Sequence, residues 1–311
     1  MNRIKVGFNM HPRWACGESL PGFLEPLWAA GLRALEFELW DGDPDWPRIL
    51  PLMEDCRQMG FELCFHAPYR RPHNIAGFAG EKRAEIQADY APMLDVAARF
   101  APAPVVIHGA WSETRPHETL YADTVAFLEW VLERYPALTP ALENLPPNPR
   151  RIKIGATRGE IRDIVEEIDD RGCAPRPEEP VLSKVEGAGL GNPPRAASSG
   201  RHGSTRLGLC WDMGHDVVAG RQSTPDMAWL RHVVHVHLHD VDEHGTDHYP
   251  LLYGRTPYRT WLPALVQVGF NGIVTLEIKG EQLAHLGFEQ VRQILAASVA
   301  EIAQVLATPS P

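Results

Sequence analysis

A single closed (β/α)8 barrel of the TIM type is the fold predicted for this 311-residue chain, and three observations carry the prediction. Eight short apolar runs alternate with longer amphipathic stretches, the order of parallel β/α units. Hydrophobic residues make up 44% of the chain, enough for one large core. No Gly-rich phosphate loop follows the first run, as the nucleotide-binding members of the alternative, a doubly wound open sheet, would need.

The strands are predicted at Ile4–Asn9, Ala34–Trp40, Glu62–His66, Val105–His108, Ala141–Asn144, Leu207–Asp212, Val233–Asp240 and Ile273–Ile278. Helical patterns lie between them. Over Lys82–Ala98, Ile86, Tyr90, Met93, Leu94 and Ala97 recur at spacings of three and four and line one face. Phe288, Val291, Leu295, Val299, Ile302 and Val305 repeat this over Phe288–Leu306. Thr157-Arg158-Gly159-Glu160 fits a capping box at a helix start.

One stretch departs from the alternation. Residues 174–206 hold ten Pro and Gly and no aromatic residue, too little apolar surface to offset the entropy of ordering. The expectation is a disordered insertion before the sixth strand, on the amino-terminal face, within one domain spanning residues 1–311. Barrel active sites sit on the opposite face. Binding of a partner by the insertion is the sharper alternative.

Composition narrows the function. A net charge of −10 disfavours a nucleic-acid partner, which needs a basic face. Cys16, Cys56, Cys64, Cys173 and Cys210 are scattered without a CxxC pair and read as reduced, buried residues. The amino terminus shows no signal-peptide apolar region, and no apolar run reaches the ~18 residues of a membrane helix. A soluble, cytoplasmic protein is therefore expected, with self-association left open.

The informative pattern is where polar residues fall. Six strands end in or just beyond a potential metal ligand: His66, His108, Glu143, Asp212 with His215, His237 and Glu277. In a closed barrel these ends converge on one rim. One such residue alone is more often a hydrogen-bonded loop or barrel group, but clustered carboxylates repel unless a cation joins them. The set predicts a divalent metal, with ligand types that suit Zn, Mn, Mg or Co, and no nucleotide cofactor. His235, His237 and His239 alternate and share one face, leaving Val236 and Leu238 to pack outward. His237 is the chosen ligand, with His235 and His239 assigned to the core or to support. Asp247 and His248 supply a further acidic and imidazole pair, or a solvated turn. Arg70, Arg71 and Arg255 offer charge near the rim. Trp40, Trp111 and Trp211 offer flat faces to a sugar or else pack the barrel.

On these residues the chain resembles the xylose isomerase-like barrels, which include sugar isomerases and epimerases and the endonuclease IV type of apurinic-site nuclease. The resemblance covers nearly the whole chain outside the insertion. It implies that Glu143, Asp212, His237 and Glu277 bind a metal. For the nuclease branch it implies additional metal ligands at His66, His108, His215, His248 and Asp247. The finer motifs favour the sugar branch. Where the nuclease has D-T-C-H after strand six, this chain has Asp212-Met213-Gly214-His215; where the nuclease has H-x-N-D-S-K, it has His237-Leu238-His239-Asp240-Val241-Asp242, without the lysine. The nuclease D-R-H becomes Thr246-Asp247-His248, displacing the acid by one position, and Arg70-Arg71-Pro72-His73 separate the third-strand motif from Asn74. The resemblance thus implies a metal-dependent isomerase or epimerase of a sugar or sugar phosphate. Glu143 and Glu277 would be its acid/base pair through an enediolate, His215 a catalytic or supporting group, and His66, His108 and Arg255 substrate contacts. A zinc phosphodiesterase for abasic DNA and a keto-sugar (inosose-type) dehydratase are the alternatives. A barrel without activity, binding a ligand only, fits poorly with the intact ligand set.

Overall fold

The structure is a computed structural model that describes residues 4–10, 20–39, 46–69, 72–173 and 206–307. Eight parallel strands close into a barrel: β1 (Lys5–Asn9), β2 (Leu32–Glu38), β3 (Glu62–His66), β4 (Ala103–Ile107), β5 (Leu138–Glu143), β6 (Gly208–Asp212), β7 (Val233–Leu238) and β8 (Ile273–Leu276). Each strand pairs with its neighbours in chain order, and β8 returns to β1. The predicted architecture is the observed one. Strand starts differ: β2 begins at Leu32 and β5 at Leu138, because Arg33 and the Thr139-Pro140 pair conceal strand residues behind turn-like chemistry.

Helices α1 (Leu20–Ala30), α2 (Trp46–Gln58), α3 (Arg83–Ala98), α4 (His117–Arg134) and α5 (Arg158–Cys173) follow the first five strands. The short α6 (Met213–Val218) and α7 (Met227–Leu230) follow β6, α8 (Tyr258–Gln267) follows β7, and α9 (Gly280–Leu283) and α10 (Phe288–Ala307) follow β8. The five positions expected to line α3 are all buried. In α10, Val291, Leu295, Val299 and Ile302 are buried, while Phe288 and Val305 pack half-buried against the core. Each such aliphatic side chain contributes roughly 1.5–3 kcal/mol by leaving water. The Thr157 hydroxyl accepts the Glu160 N–H at 3.2 Å, but the Glu160 carboxylate accepts from Gly155 rather than Thr157, so the capping box is half formed.

Strand alternation sorts the barrel. Leu35, Phe37, Phe65, Leu142, Leu209, Trp211, Val236, Leu238, Val274 and Leu276 belong to the main hydrophobic core. Ala34, Cys64 and Ile273 form one small inner cluster and Val106, Ala141 and Cys210 another. Gly7 is required here: a Cβ would lie 2.8 Å from Ile273 Cγ2. Above these apolar residues the inner face turns polar toward the carboxyl ends of the strands.

Cys56, Cys64 and Cys210 are free and buried, as expected. Among the described residues no helix is long and apolar enough to cross a membrane. The insertion, apart from Arg206, lies outside the described residues, as do Cys16, Trp40, Arg70 and Arg71.

Candidate metal centre

The ends of β5 to β8 bring Glu143, Asp212, His237 and Glu277 together, with one donor atom from each lying within 4.8 Å of the others. His237 is at the middle. Its Nδ1 is 3.1 Å from Glu277 Oε2, 3.3 Å from Glu143 Oε1 and 4.0 Å from Asp212 Oδ2. Glu143 and Asp212 are fully buried, and Glu277 lies at the mouth with 14% of its side chain exposed.

Further histidines surround this set. His108 Nε2 is 2.6 Å from Glu143 Oε2, and His66 Nε2 is 3.5 Å from the same oxygen. His215 Nδ1 lies 3.2 Å from Asp212 and 3.3 Å from Glu143, and His248 Nε2 lies 3.4 Å from Glu277. Two overlapping donor groups result: Asp212, His215, His239 and His248, and His66, Glu143 and His237.

Hydrogen bonds fix several of these rings. His66 Nδ1–H donates to the Ala67 carbonyl at 2.7 Å, which turns Nε2 inward as a lone-pair donor. His239 Nδ1 accepts the His248 backbone N–H at 2.9 Å, so the His239 proton sits on Nε2 and is donated to Asp212 at 3.1–3.2 Å. His239 therefore orients Asp212. Gly214 makes room for it, since a Cβ there would fall 1.9 Å from the His239 ring.

Sequence reasoning missed Glu36, on β2. This buried carboxylate accepts from His235 Nε2 at 2.8 Å and from His237 Nε2 at 3.0 Å. A carboxylate behind a ligating imidazole fixes its tautomer and raises its basicity. Here it holds the His237 Nδ1 lone pair toward the other three carboxylates. The only signal was Glu36 and Glu38 recurring at period two in an apolar strand, which also describes a solvated face.

The electrostatics follow from burial and charge. Burial pushes the Glu143 carboxyl up, but His108, His215 and His237 hold it well below its ordinary value. Glu277 is likewise opposed by burial and held well down by His237 and His248. Burial also opposes ionisation of Glu36, yet His237 and His235 bring it to about 2. Burial lowers His66, but Glu143, with Glu277 and Glu36, lifts it to about 9. The carboxylates are thus held anionic while neighbouring imidazoles such as His66, His215 and His248 are raised in turn, a concentration of negative charge suited to a cation.

The residues fit a divalent cation. Glu143 Oε2, Glu277 Oε2 and His66 Nε2 are buried without a hydrogen-bond partner. Orphaned buried donors of this kind are rare unless something else satisfies them. Three carboxylates and an imidazole suit Mn, Zn, Mg or Co.

Not every expected residue meets the cluster. Arg255 is exposed, and its backbone N–H donates to Asp240 at 3.0 Å while its side chain lies outside the residues that line the cavity. Asp247 is on the rim, 2.8 Å from His248 Nδ1 and 3.1 Å from Lys279 Nζ, and contributes to none of the converging donor groups. Trp211 packs outside the barrel against Trp229 and Trp261 and donates to Asp216 at 2.8 Å, while Trp111 lines the cavity.

That cavity, of about 450 Å³, opens over the cluster and is walled by His108, His215, His248, Glu277, Tyr69 and Trp111, among others. Its size falls within the range of small-molecule sites.

Fold and donor set together place a cluster of carboxylates and histidines at the mouth of a (β/α)8 barrel. The family model for the xylose isomerase-like TIM barrel matches residues 197–303. No curated protein matches the chain. Solved structures do. A D-tagatose 3-epimerase-like protein aligns with a TM-score of 0.63 at 19% identity, over 98% of this chain and 100% of its own. The D-psicose 3-epimerase of Clostridium cellulolyticum H10, solved with D-tagatose, aligns with a TM-score of 0.66 at 13% identity, over 98% and 100%. A xylose isomerase domain protein from Alicyclobacillus acidocaldarius aligns with a TM-score of 0.61 at 16% identity, over 98% and 100%.

Proposed function

We propose that this protein is a divalent-metal-dependent isomerase or epimerase of a sugar or sugar phosphate, acting through an enediolate with Glu143 and Glu277 as acid and base. One observation carries the reading: Glu143, Asp212, His237 and Glu277 converge within reach of one ion at the mouth of the barrel. The likeness to 3-epimerases, one of them solved with D-tagatose, supports a ketose as the substrate class.

A divalent ion held by these four residues would supply Lewis-acid polarisation of a ketose carbonyl and its neighbouring hydroxyl. The rest is the work of side chains. Glu143 and Glu277 are both held ionised by neighbouring histidines, so each can take a proton from carbon as a carboxylate. One carboxylate removes the proton beside the carbonyl. The other passes on, from the opposite direction, a proton drawn from the imidazole beside it (His215 for Glu143, His248 for Glu277), which inverts the carbon. Delivery to the adjacent carbon instead gives isomerisation. The abstracted proton returns to that imidazole through solvent before the next turnover. His239 keeps Asp212 oriented, and Glu36 keeps His237 oriented. His108 and His66 lie beside the Glu143 carboxylate, at 2.6 and 3.5 Å, and Tyr69 and Trp111 wall the cavity.

Two related chemistries share the site. The additional donor group of Asp212, His215, His239 and His248 favours, as the second reading, a multi-zinc phosphodiesterase of the endonuclease IV kind. Dehydration of a keto-sugar would begin with the same proton abstraction and end in loss of water.

Incubating the metal-loaded protein with ketoses and ketose phosphates in D2O separates these readings. The proposal expects about one Mn, Co or Mg per chain and deuterium entering the carbon beside the carbonyl. An unsaturated product would replace it with the dehydratase. Three zinc ions with cleavage of an abasic duplex would replace it with the phosphodiesterase.

A further inference from the structure

The cavity over the carboxylates is also lined by three cations, and we propose that Arg151, Lys153 and Lys279 form a subsite for an anionic oxo group, phosphate or carboxylate, of the substrate. The inference rests on the sugar-enzyme reading and narrows its substrate class to charged sugars.

All three cations line the same cavity as His108, His215 and Glu277. Lys153 arrives on a two-stranded antiparallel ribbon in which Ile152–Lys153, beyond β5, pairs with Trp111–Ser112, beyond β4, and Arg151 immediately precedes it. The register sets Lys153 opposite Trp111, so the ribbon ties the cation to a residue that also walls the cavity. Arg151 is held at the rim, its guanidinium 4.4 Å over the Trp111 ring and 3.4 Å from Glu113. Lys279 follows Glu277 by two residues and lies 3.1 Å from Asp247.

Lys153 is the telling member. It is half-buried, yet no ion pair or hydrogen bond reaches its ammonium among the described residues. Burial, with Arg151 close by, pushes its pKa down, and the pull of Glu143 and Asp247, neither of them in ion-pair contact with it, does not make up the difference. Taking an ammonium partly out of water without a partner is costly, and such groups are normally paired. Glu277 faces the metal centre and Asp247 is already shared with His248 and Lys279. The wall is therefore left positive where a small molecule would enter. A neutral sugar presents only hydroxyls and has no use for three cations. A terminal phosphate or carboxylate would complete Lys153 and place the carbonyl end of a short sugar toward Glu143 and Glu277.

The test is calorimetric titration of the Mn-loaded full-length chain with D-fructose and D-fructose 6-phosphate, D-ribulose and D-ribulose 5-phosphate, 5-keto-D-gluconate, and inorganic phosphate. The charged ligand of at least one pair is expected to bind about tenfold or more tightly than its neutral parent. Inorganic phosphate should compete, and the preference should fall with added salt. Lys153→Gln should remove the preference and Lys153→Arg should retain most of it, both keeping the wild-type Mn content. A preference for the ketose phosphates assigns a phosphate site, and one for the keto acid assigns a carboxylate site. Equal binding of charged and neutral sugars overturns the proposal, as does a preference that survives in a Lys153→Gln, Arg151→Gln double variant. A chain that binds no Mn but still binds phosphate through Lys153 would refute the sugar-enzyme reading and leave the subsite standing.

Discussion

Replacing Glu36 by Gln tests whether the carboxylate behind His237 sets the strength of the proposed metal centre. Glu36 Oε2 accepts from both His235 Nε2 and His237 Nε2, at 2.8 and 3.0 Å, and is only 2% exposed. An amide of the same shape keeps one acceptor oxygen but no charge, so one imidazole proton is still met and the barrel should fold. What is lost is the anion that makes His237 a stronger donor through Nδ1. Losing such a partner typically weakens metal affinity about 10–100-fold. At about 1.4 kcal/mol per decade, this amounts to roughly 1.4–2.7 kcal/mol. Competition between the protein and a chelating indicator for Mn reads the change directly, with circular dichroism to check folding. A folded Glu36→Gln variant with wild-type Mn affinity would refute the claim that Glu36 acts through His237.

Glu143→Gln and Glu277→Gln should each lower turnover by at least about 100-fold, because each loses a proton acceptor and a metal donor; initial rates on the best ketose measure it, and near-wild-type turnover in either variant would count against its role. Chelation should abolish activity and lower the melting temperature, since an ion at about 100 times its dissociation constant adds about 2.7 kcal/mol to the folded state. Metal affinity should weaken as pH falls, because His237 must shed a proton to bind an ion, and its pKa, though opposed by burial, is raised by Cys210, Glu36 and Glu277. In the metal-free protein Glu36, depressed from 4.5 to about 2, contributes roughly 3 kcal/mol that is fully present above pH 4.5 and is lost as pH falls toward 2; acid unfolding of the Glu36→Gln variant should lack that component. Asp216 is fully buried and accepts from Arg158, Arg221 and Trp211 at 2.5–2.8 Å, so Asp216→Asn should cost about 3–5 kcal/mol in chemical denaturation.

The barrel, and the four residues of the proposed site that its strand ends bring together, were legible in the sequence for one reason. Strands buried on both faces read as apolar runs, so a His, Asp or Glu at the end of such a run stands out and its rim position follows from topology. Glu143, Asp212, His237 and Glu277 were found this way. What stayed hidden depends on three-dimensional pairing. Glu36 looked like the polar half of an alternating strand, and only closure of the barrel brings it beneath His235 and His237. In the sequence His239 reads as a core or supporting group, and only the His248 backbone N–H, by fixing its tautomer, decides between the two. Lys153 reaches the cavity on a four-residue ribbon, with Arg151 just before it, too short to leave a periodic trace. Arg255 was chosen for its charge near the seventh strand, but the loop after β7 wraps round Asp240, which takes up the backbone N–H groups of residues 253–256, and the side chain is left in solvent. Pro140 concealed the start of β5, since proline within a run argues against a central strand.

A crystal of the Mn-soaked protein, measured on both sides of the manganese absorption edge, addresses the claim on which all the chemistry depends. The account predicts an anomalous peak at the barrel mouth, bonded to a carboxylate oxygen from each of Glu143, Asp212 and Glu277 and to His237 Nδ1. A peak elsewhere, or none between those four side chains at saturating metal, would contradict it.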